Sequence, residues 1–182
     1  MLGLLDDVSR VLSSRGTPHA LIGAGALAFH GVGRSTFDLD VLVTDRSVLV
    51  TAFWARLAGQ GDVLDLRVGD DEDPLAGVVR ISRPGARPVD VVVGRATWQS
   101  EALRSATPCA LGAVSIPVIS VADLVLLKLY AGGPQDAWDV EQLLRLKGRT
   151  PLVADVERQL PRLPEHATVL WRRIVDAPPA GR

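Results

Sequence analysis

The chain has 182 residues and a formal net charge of −1, with 47% hydrophobic and 23% charged residues. This composition excludes a disordered chain, and the charge excludes nucleic-acid binding through a general basic field. The single cysteine, Cys109, has no partner for an internal disulfide, and the longest apolar runs, such as residues 121–130, are interrupted by charged residues. We therefore expect a cytoplasmic protein without a membrane partner.

The first half of the chain alternates short apolar runs with Gly, Pro and Asp, which is typical of strands joined by turns. Helical spacing of apolar residues also predicts a helix over residues 2–14. The predicted strands cover residues 19–22, 37–43, 63–68, 78–82 and 89–93, and further helices are predicted at 24–29 and 47–58.

After residue 96 the pattern becomes mostly helical. Helices are predicted near residues 98–105, 120–131 and 136–146, with two more behind them and a short strand pair around Leu111 and Ile116. Ser120 followed by Asp123 is a typical helix start, because each side chain can bond the backbone of the other. Strands followed by helices indicate an α+β protein, with a core over residues 1–96 and a mostly helical part over 97–182 packed on it.

Asp38 and Asp40 stand on the most informative strand. Side chains alternate along a strand, so these carboxylates share one face, about 6–7 Å apart, while Leu39 and Val41 point to the other. Two like charges on an apolar strand are costly unless a cation or strong donors compensate them. Because Mg²⁺ is held by a few carboxylates together with substrate phosphates, the two aspartates predict a magnesium site, with two ions clamping a phosphoryl centre.

Asp90 lies on a second apolar strand. If that strand neighbours the first, Asp90 reaches the same metal ions and is placed to take a proton from an acceptor hydroxyl. The alternative for each carboxylate is a solvated residue at a strand end. The combination of three favours a site, with Asp38, Asp40 and Asp90 as metal ligands and catalytic residues.

Several motifs together resemble the nucleotidyltransferase superfamily. They are Gly23-Ala24-Gly25-Ala26, His30-Gly31, Arg34-Ser-Thr36, Asp38-Leu-Asp40, Lys128-Leu-Tyr-Ala131 and Asp136-Ala-Trp-Asp139. The likeness covers about residues 18–146 and is greatest to the abortive-infection type, which includes toxins of type IV toxin–antitoxin pairs.

The resemblance implies a polymerase-beta-like mixed sheet flanked by helices, with a helical C-terminal part. It also implies a nucleotide site, in which Gly23 and Ala24 cradle the triphosphate and Arg34 and Thr36 contact phosphate or orient the metal carboxylates. Lys128 would lie over phosphate or base. Asp136 would hold that lysine or the acceptor.

Three positions depart from the family pattern, and they keep other functions open. Ala24 lacks the hydroxyl of a serine, and Gly133 and Gln135 stand where basic residues are common in the family. One alternative is therefore a catalytically weakened nucleotide-binding or protein-interaction module on the same fold. Another is an antibiotic-modifying nucleotidyltransferase, which shares the Asp-x-Asp site.

Gly23-Ala-Gly25-Ala-Leu-Ala28 also fits the dinucleotide-binding fingerprint G-x-G-x-x-A. That fold needs a full crossover helix after the fingerprint, and residues 30–33 interrupt the helix too early. We therefore predict transfer of a nucleoside monophosphate from a nucleoside triphosphate to a hydroxyl, with Mg²⁺ as the metal. The acceptor is a tRNA, a protein or a small molecule, and a toxin role would imply an antitoxin partner.

Overall fold

The computed structural model describes residues 3–33, 38–111 and 114–177, and they form a mixed α+β structure. The strands are β1 His19–Ile22, β2 Leu39–Val43, β3 Val63–Val68, β4 Leu75–Ser82, β5 Val89–Gly94, β6 Thr107–Leu111 and β7 Val114–Val118. The helices are α1 Gly3–Ser14, α2 Gly23–Phe29, α3 Ala55–Ala58, α4 Thr97–Ser105, α5 Val121–Ala131, α6 Pro134–Lys147, α7 Arg149–Glu157 and α8 Glu165–Asp176. None of the helices within these ranges is long and apolar enough to cross a membrane.

The chain divides into two compact units, residues 1–26 with 35–119, and residues 27–34 with 120–182. The first unit contains all seven described strands in one sheet, in the order β3-β4-β5-β2-β1-β7-β6. It continues through α4, β6 and β7, beyond residue 96. The second unit is helical, with α6, α7 and α8 all in contact with α5.

At the centre of the sheet one face is apolar, and the other carries aspartates at one end and the buried Leu42 farther along β2. β5 pairs in parallel with β2, so that Val41 lies beside Val91 and both side chains are fully buried. Removing each of these valines from water contributes about 1.5–3 kcal/mol, which fixes that face against the core. Strand alternation then directs Asp40 and Asp90 to the opposite face.

The segment predicted as one helix over residues 47–58 is broken into shorter pieces. Two 3₁₀ turns, Arg46–Leu49 and Thr51–Trp54, precede the single α-turn α3. Asp45 begins the first turn by accepting a hydrogen bond from the Ser47 N–H at 2.9 Å, and Trp54 Nε1 donates back to the Val48 carbonyl at 2.7 Å. The helix prediction was wrong here: β-branched residues lower the helix propensity of the segment, and the Trp54 indole bonds the Val48 carbonyl across the two turns.

The predicted start of α5 at Ser120 is confirmed, although Asp123 bonds the Ser120 hydroxyl and not its backbone. Ser120 Oγ accepts a hydrogen bond from the Asp123 N–H at 3.1 Å and donates its own hydrogen to Asp123 Oδ2 at 2.6 Å. The helix ends at Gly132, whose φ of 72° is the left-handed conformation that closes a helix. Between these ends α5 is apolar on nearly all sides, which suits a central helix with three helical neighbours.

Candidate active site

Asp40 and Asp90 lie side by side on the polar face of the first unit. They are register partners in the parallel β2–β5 ladder, and Asp38 lies immediately before β2, which begins at Leu39. The strand of Asp90 therefore neighbours the strand of Asp40, as the prediction of a shared site required. Asp40 and Asp90 therefore come from neighbouring strands, with Asp38 just before the first of them.

Arg80 lies beside Asp38 and Asp90, and it is not among the site residues predicted from the sequence. Its Nη1 donates to Asp90 Oδ2 at 3.0 Å, and its Nη2 donates to Asp38 Oδ2 at 2.8 Å. The arginine is on β4, in register with Asp90 on β5. A signal was present in the sequence, because Arg80 is the one charged residue within the run Val78–Ser82.

Burial raises the pKa of the Asp90 carboxyl, and the nearby Asp38 adds to this, while the Arg80 guanidinium acts in the opposite direction. Asp38, through its hydrogen bond, and then Asp90 raise the pKa of Arg80. Asp90 Oδ1 is buried, and it accepts no hydrogen bond from the described part of the chain. A carboxylate oxygen in this state is suited to a cation or to a proton that arrives with a substrate.

Gly23 brings the backbone against Asp40. It follows β1 and has a φ of +58°, and a Cβ built on it would lie 2.1 Å from Asp40 Oδ2. Only glycine both adopts this left-handed conformation readily and leaves room for the carboxylate. Ala24 follows in the first turn of α2 with a buried side chain. The turn named by the sequence motif is therefore packed on the aspartate strand.

Lys128 and Asp136 belong to the second unit and form an ion cluster there. Lys128 Nζ lies 2.8 Å from Asp136 Oδ1 and 2.8 Å from Asp139 Oδ2. Asp136 also accepts a hydrogen bond from the Gly133 N–H at 3.1 Å. Because Asp139 is fully buried and Lys128 is 9% exposed, the lysine serves a buried carboxylate rather than reaching into solvent. Contact of Lys128 or Asp136 with a nucleotide stays a prediction.

Arg34 and Thr36, predicted to contact phosphate or to orient the metal ligands, lie outside the described residues. Within residues 3–33, 38–111 and 114–177, no group of three or more His, Cys, Asp and Glu side chains converges as a ready-made metal cluster. Of the three predicted ligands, Asp38 and Asp90 are bridged by the Arg80 guanidinium.

Comparison with solved structures shows the nucleotidyltransferase fold. The antibiotic-resistance factor ANT(2″)-Ia in solution superposes with a TM-score of 0.59 at 12% identity, over 97% of each chain. Its crystal structure with adenylyl-2″-tobramycin gives 0.56 at 14% identity, over 88% of this chain and 97% of that one. The lincosamide adenylyltransferase LnuA, bound to lincomycin, gives 0.50 at 12% identity, over 76% and 93%.

No protein-family model matches the sequence, and no curated protein matches it significantly. The predicted α+β nucleotidyltransferase fold is confirmed by the sheet and by these superpositions. The predicted likeness to toxins of toxin–antitoxin pairs stays a prediction.

Proposed function

We propose that this protein is a metal-dependent nucleotidyltransferase, which moves a nucleoside monophosphate from a nucleoside triphosphate to a hydroxyl group. The observation that carries the proposal is the register of β2 with β5, which sets Asp40 beside Asp90 with Asp38 two residues away. The similarity of fold to two adenylyltransferases of antibiotics supports it.

The three carboxylates suit a hard divalent cation such as Mg²⁺. Asp90 Oδ1 is buried without a hydrogen-bond donor from the described residues, and the absence of a Cβ at Gly23 leaves room for the Asp40 carboxylate. Asp38, Asp40 and Asp90 are the ligands in this proposal. When bound, Mg²⁺ supplies charge neutralisation for the triphosphate and lowers the pKa of an oxygen that it binds.

The reaction balances without a further reactant. The acceptor oxygen bonds to the α-phosphorus, the bond from that phosphorus to the bridging oxygen breaks, and pyrophosphate leaves with the electron pair. Asp90 takes the hydroxyl proton, in agreement with the direction in which burial moves its pKa. Backbone N–H groups of Gly23 and Ala24 at the start of α2 bind phosphate oxygens. A role of Lys128 and Asp136 in binding the nucleotide is a separate proposal, which rests on the motif resemblance alone.

Small-molecule antibiotics are the first acceptor class in this proposal, because solved structures of the same fold include ANT(2″)-Ia with adenylyl-2″-tobramycin and the lincosamide adenylyltransferase LnuA. A tRNA or protein acceptor, with the protein acting as a toxin against which an antitoxin exists, is the second candidate and derives from the motif resemblance. The two candidate acceptor classes are distinguished by which acceptor receives the labelled nucleotide.

The test begins with binding. Wild type, Asp40→Asn and Asp65→Asn are melted with ATP, GTP, CTP and UTP, each with and without Mg²⁺. Asp65 on β3 is the matched control. It is the register partner of Arg80 on β4, which in turn pairs with Asp90 on β5, so Asp65 lies on the same face of the sheet. A nucleotide at about 100 times its dissociation constant stabilises the native state by about 2.7 kcal/mol. We expect a Mg²⁺-dependent shift in wild type and Asp65→Asn that Asp40→Asn loses.

The nucleotide that shifts melting is then supplied with a label on its α-phosphate. Tobramycin, lincomycin, total tRNA and the protein itself serve as acceptors, and released pyrophosphate is measured with each. Asp38→Asn, Asp40→Asn and Asp90→Asn are expected to reduce transfer at least about a hundredfold. Full transfer by all three variants would contradict the proposal. Mg²⁺-dependent binding without transfer to any acceptor would favour a binding module.

A further inference from the structure

Strand β3 forms one edge of the seven-stranded sheet. It pairs with β4 on one side, and no other strand of the described residues pairs with its outer side. Its side chains are exposed or half-buried, and Val63 and Val68 at its two ends are 63% and 65% exposed. An exposed edge strand is a template for pairing with another chain, unless its sequence prevents the pairing.

The two edges of the sheet differ in this respect. At the opposite edge β6 contains Pro108, which has no backbone N–H to donate to an incoming strand. The six residues of β3 include no proline, and their register with β4 runs without a bulge from Val63 to Val68. The edge at β3 is therefore the one that is open to further pairing.

Alternate backbone groups of β3 point away from the sheet. Just beyond the strand, the Gly69 N–H donates to the Ala76 carbonyl at 3.0 Å, so the backbone at this position faces β4. In an antiparallel ladder the backbone groups face a given partner at every second residue. Counting back from Gly69, the residues whose N–H and C=O groups face outward are Leu64, Leu66 and Val68.

The side chains of β3 complement a second copy of the same strand. In an antiparallel pair with Leu66 opposite Leu66, Asp65 of each copy stands opposite Arg67 of the other. Both side chains are accessible, with 48% of Asp65 and 77% of Arg67 exposed, and opposite charges in such positions stabilise a strand pair. On the other face Leu64 stands opposite Val68, so that apolar side chains also meet.

Charge selects this register among those that the backbone allows. A two-fold pairing sets outward-facing residues opposite one another whether it is centred on Asp65, Leu66 or Arg67. Centring on Asp65 or on Arg67 would place that charge directly opposite its own copy, which is destabilising. Centring on Leu66 instead places Asp65 and Arg67 in a non-hydrogen-bonded pair, where opposite side chains lie closest.

We propose that β3 is a dimerisation strand, which pairs antiparallel with β3 of a second copy of this chain about a two-fold axis at Leu66. The two sheets then continue into one, and the half-buried Leu64 and Leu66 are covered by apolar residues of the other copy. The interface is isologous, so each ion pair of Asp65 with Arg67 occurs twice. The inference concerns the assembly and does not rest on the proposed function.

Charge reversal on β3 tests the pairing, with the mass in solution measured by light scattering after gel filtration over a concentration series. Asp65→Arg and Arg67→Asp each place like charges opposite each other in a dimer of identical chains. We expect wild type to have twice the chain mass of 19.4 kDa and each single variant to have the chain mass itself. The double variant Asp65→Arg/Arg67→Asp should dimerise again, and so should an equimolar mixture of the two single variants, because both restore opposite charges.

Arg10→Asp is the matched control, since it reverses an exposed arginine that pairs with an aspartate on α1, away from β3. It should dimerise as wild type does, and circular dichroism confirms that each variant is folded. A monomeric wild type would overturn the inference and leave the edge to a strand of another protein. Dimers of either folded single variant, or a mixture of the two that stays monomeric, would also overturn it. Should one single variant fail to fold, the other and the double variant still decide.

Discussion

At the scale of single residues, the backbone conformation of Gly23 affects the position of a candidate metal ligand. It combines a φ of +58° with the closest approach to a metal-ligand candidate, since its absent Cβ would lie 2.1 Å from Asp40 Oδ2. Gly16 provides the comparison, with a φ of +66° and no atom within 4 Å of a Cβ. Substituting either glycine therefore strains the backbone, but only a Cβ at position 23 would collide with the Asp40 carboxylate.

We predict that Gly23→Ala and Gly16→Ala both lose stability, by about 1–2 kcal/mol for the left-handed conformation, and that Gly23→Ala alone loses Mn²⁺ binding. The reason is that the added methyl displaces the Asp40 carboxylate. Urea denaturation measures the first effect and Mn²⁺ titration the second. Unchanged Mn²⁺ affinity in Gly23→Ala would show that Asp40 does not need its observed position.

At the scale of elements, α5 and α6 are joined by the cluster of Lys128 with Asp136 and Asp139. The lysine lies in an otherwise apolar helix, and one of its two carboxylate partners is fully buried. Burying these charges is tolerated because each faces an opposite charge at 2.8 Å. The Arg145–Glu141 pair on α6 is exposed, with 3.8 Å between charged atoms, so water solvates both charges and neither needs the other for compensation.

We predict that Lys128→Met destabilises the protein by about 3 kcal/mol, because the ammonium no longer compensates the carboxylate of Asp139. Arg145→Met, the control, should change the free energy of unfolding by less than about 0.5 kcal/mol. The double variant Lys128→Met/Asp139→Asn should recover part of the loss, since a neutral amide does not need the ammonium. Urea denaturation of the four proteins decides, and a double variant no more stable than Lys128→Met would contradict the mechanism.

For the molecule as a whole, stability against pH depends in part on a buried histidine of the first unit. His19 begins β1; its Nδ1 donates to the Thr17 carbonyl at 3.0 Å, and Ser9 Oγ lies 2.8 Å from its Nε2. In the neutral ring Nε2 then accepts from the serine hydroxyl. Burial lowers the pKa of His19 from 6.5, and the bond to Thr17 opposes this only in part.

We predict that the free energy of unfolding falls as the pH drops below 6.5. The pKa of His19 is lower in the folded state than in the unfolded chain. Just below pH 6.5 the unfolded chain therefore binds a proton on His19 that the native ring does not bind. Stability consequently rises with pH in this range. The contribution reaches at most about 1.4 kcal/mol per pH unit. Urea denaturation from about pH 5 to pH 8 should show a steeper loss in wild type than in His19→Gln. Parallel curves for the two proteins would contradict the prediction.

Local patterns in the sequence were sufficient for most elements and for the polar face of one strand. Residues 19–22 and 63–68 were predicted with the bounds that β1 and β3 have, and Ser120 with Asp123 marked the start of α5. These succeed because alternation and capping depend on residues a few positions apart. The segment at 47–58 failed because the contact of Trp54 with Val48 overrode helical periodicity.

The sequence alone determined that Asp38 and Asp40 lie two positions apart at the start of an apolar strand, which begins at Leu39 in the structure. It left open whether Asp90 joins them, and it gave no partner for Arg80. Only the tertiary structure decided both, because the order β4-β5-β2 joins residues up to 42 positions apart in the chain. Pairing between strands is set by the burial of whole faces of the sheet, and that is a property of all the strands together.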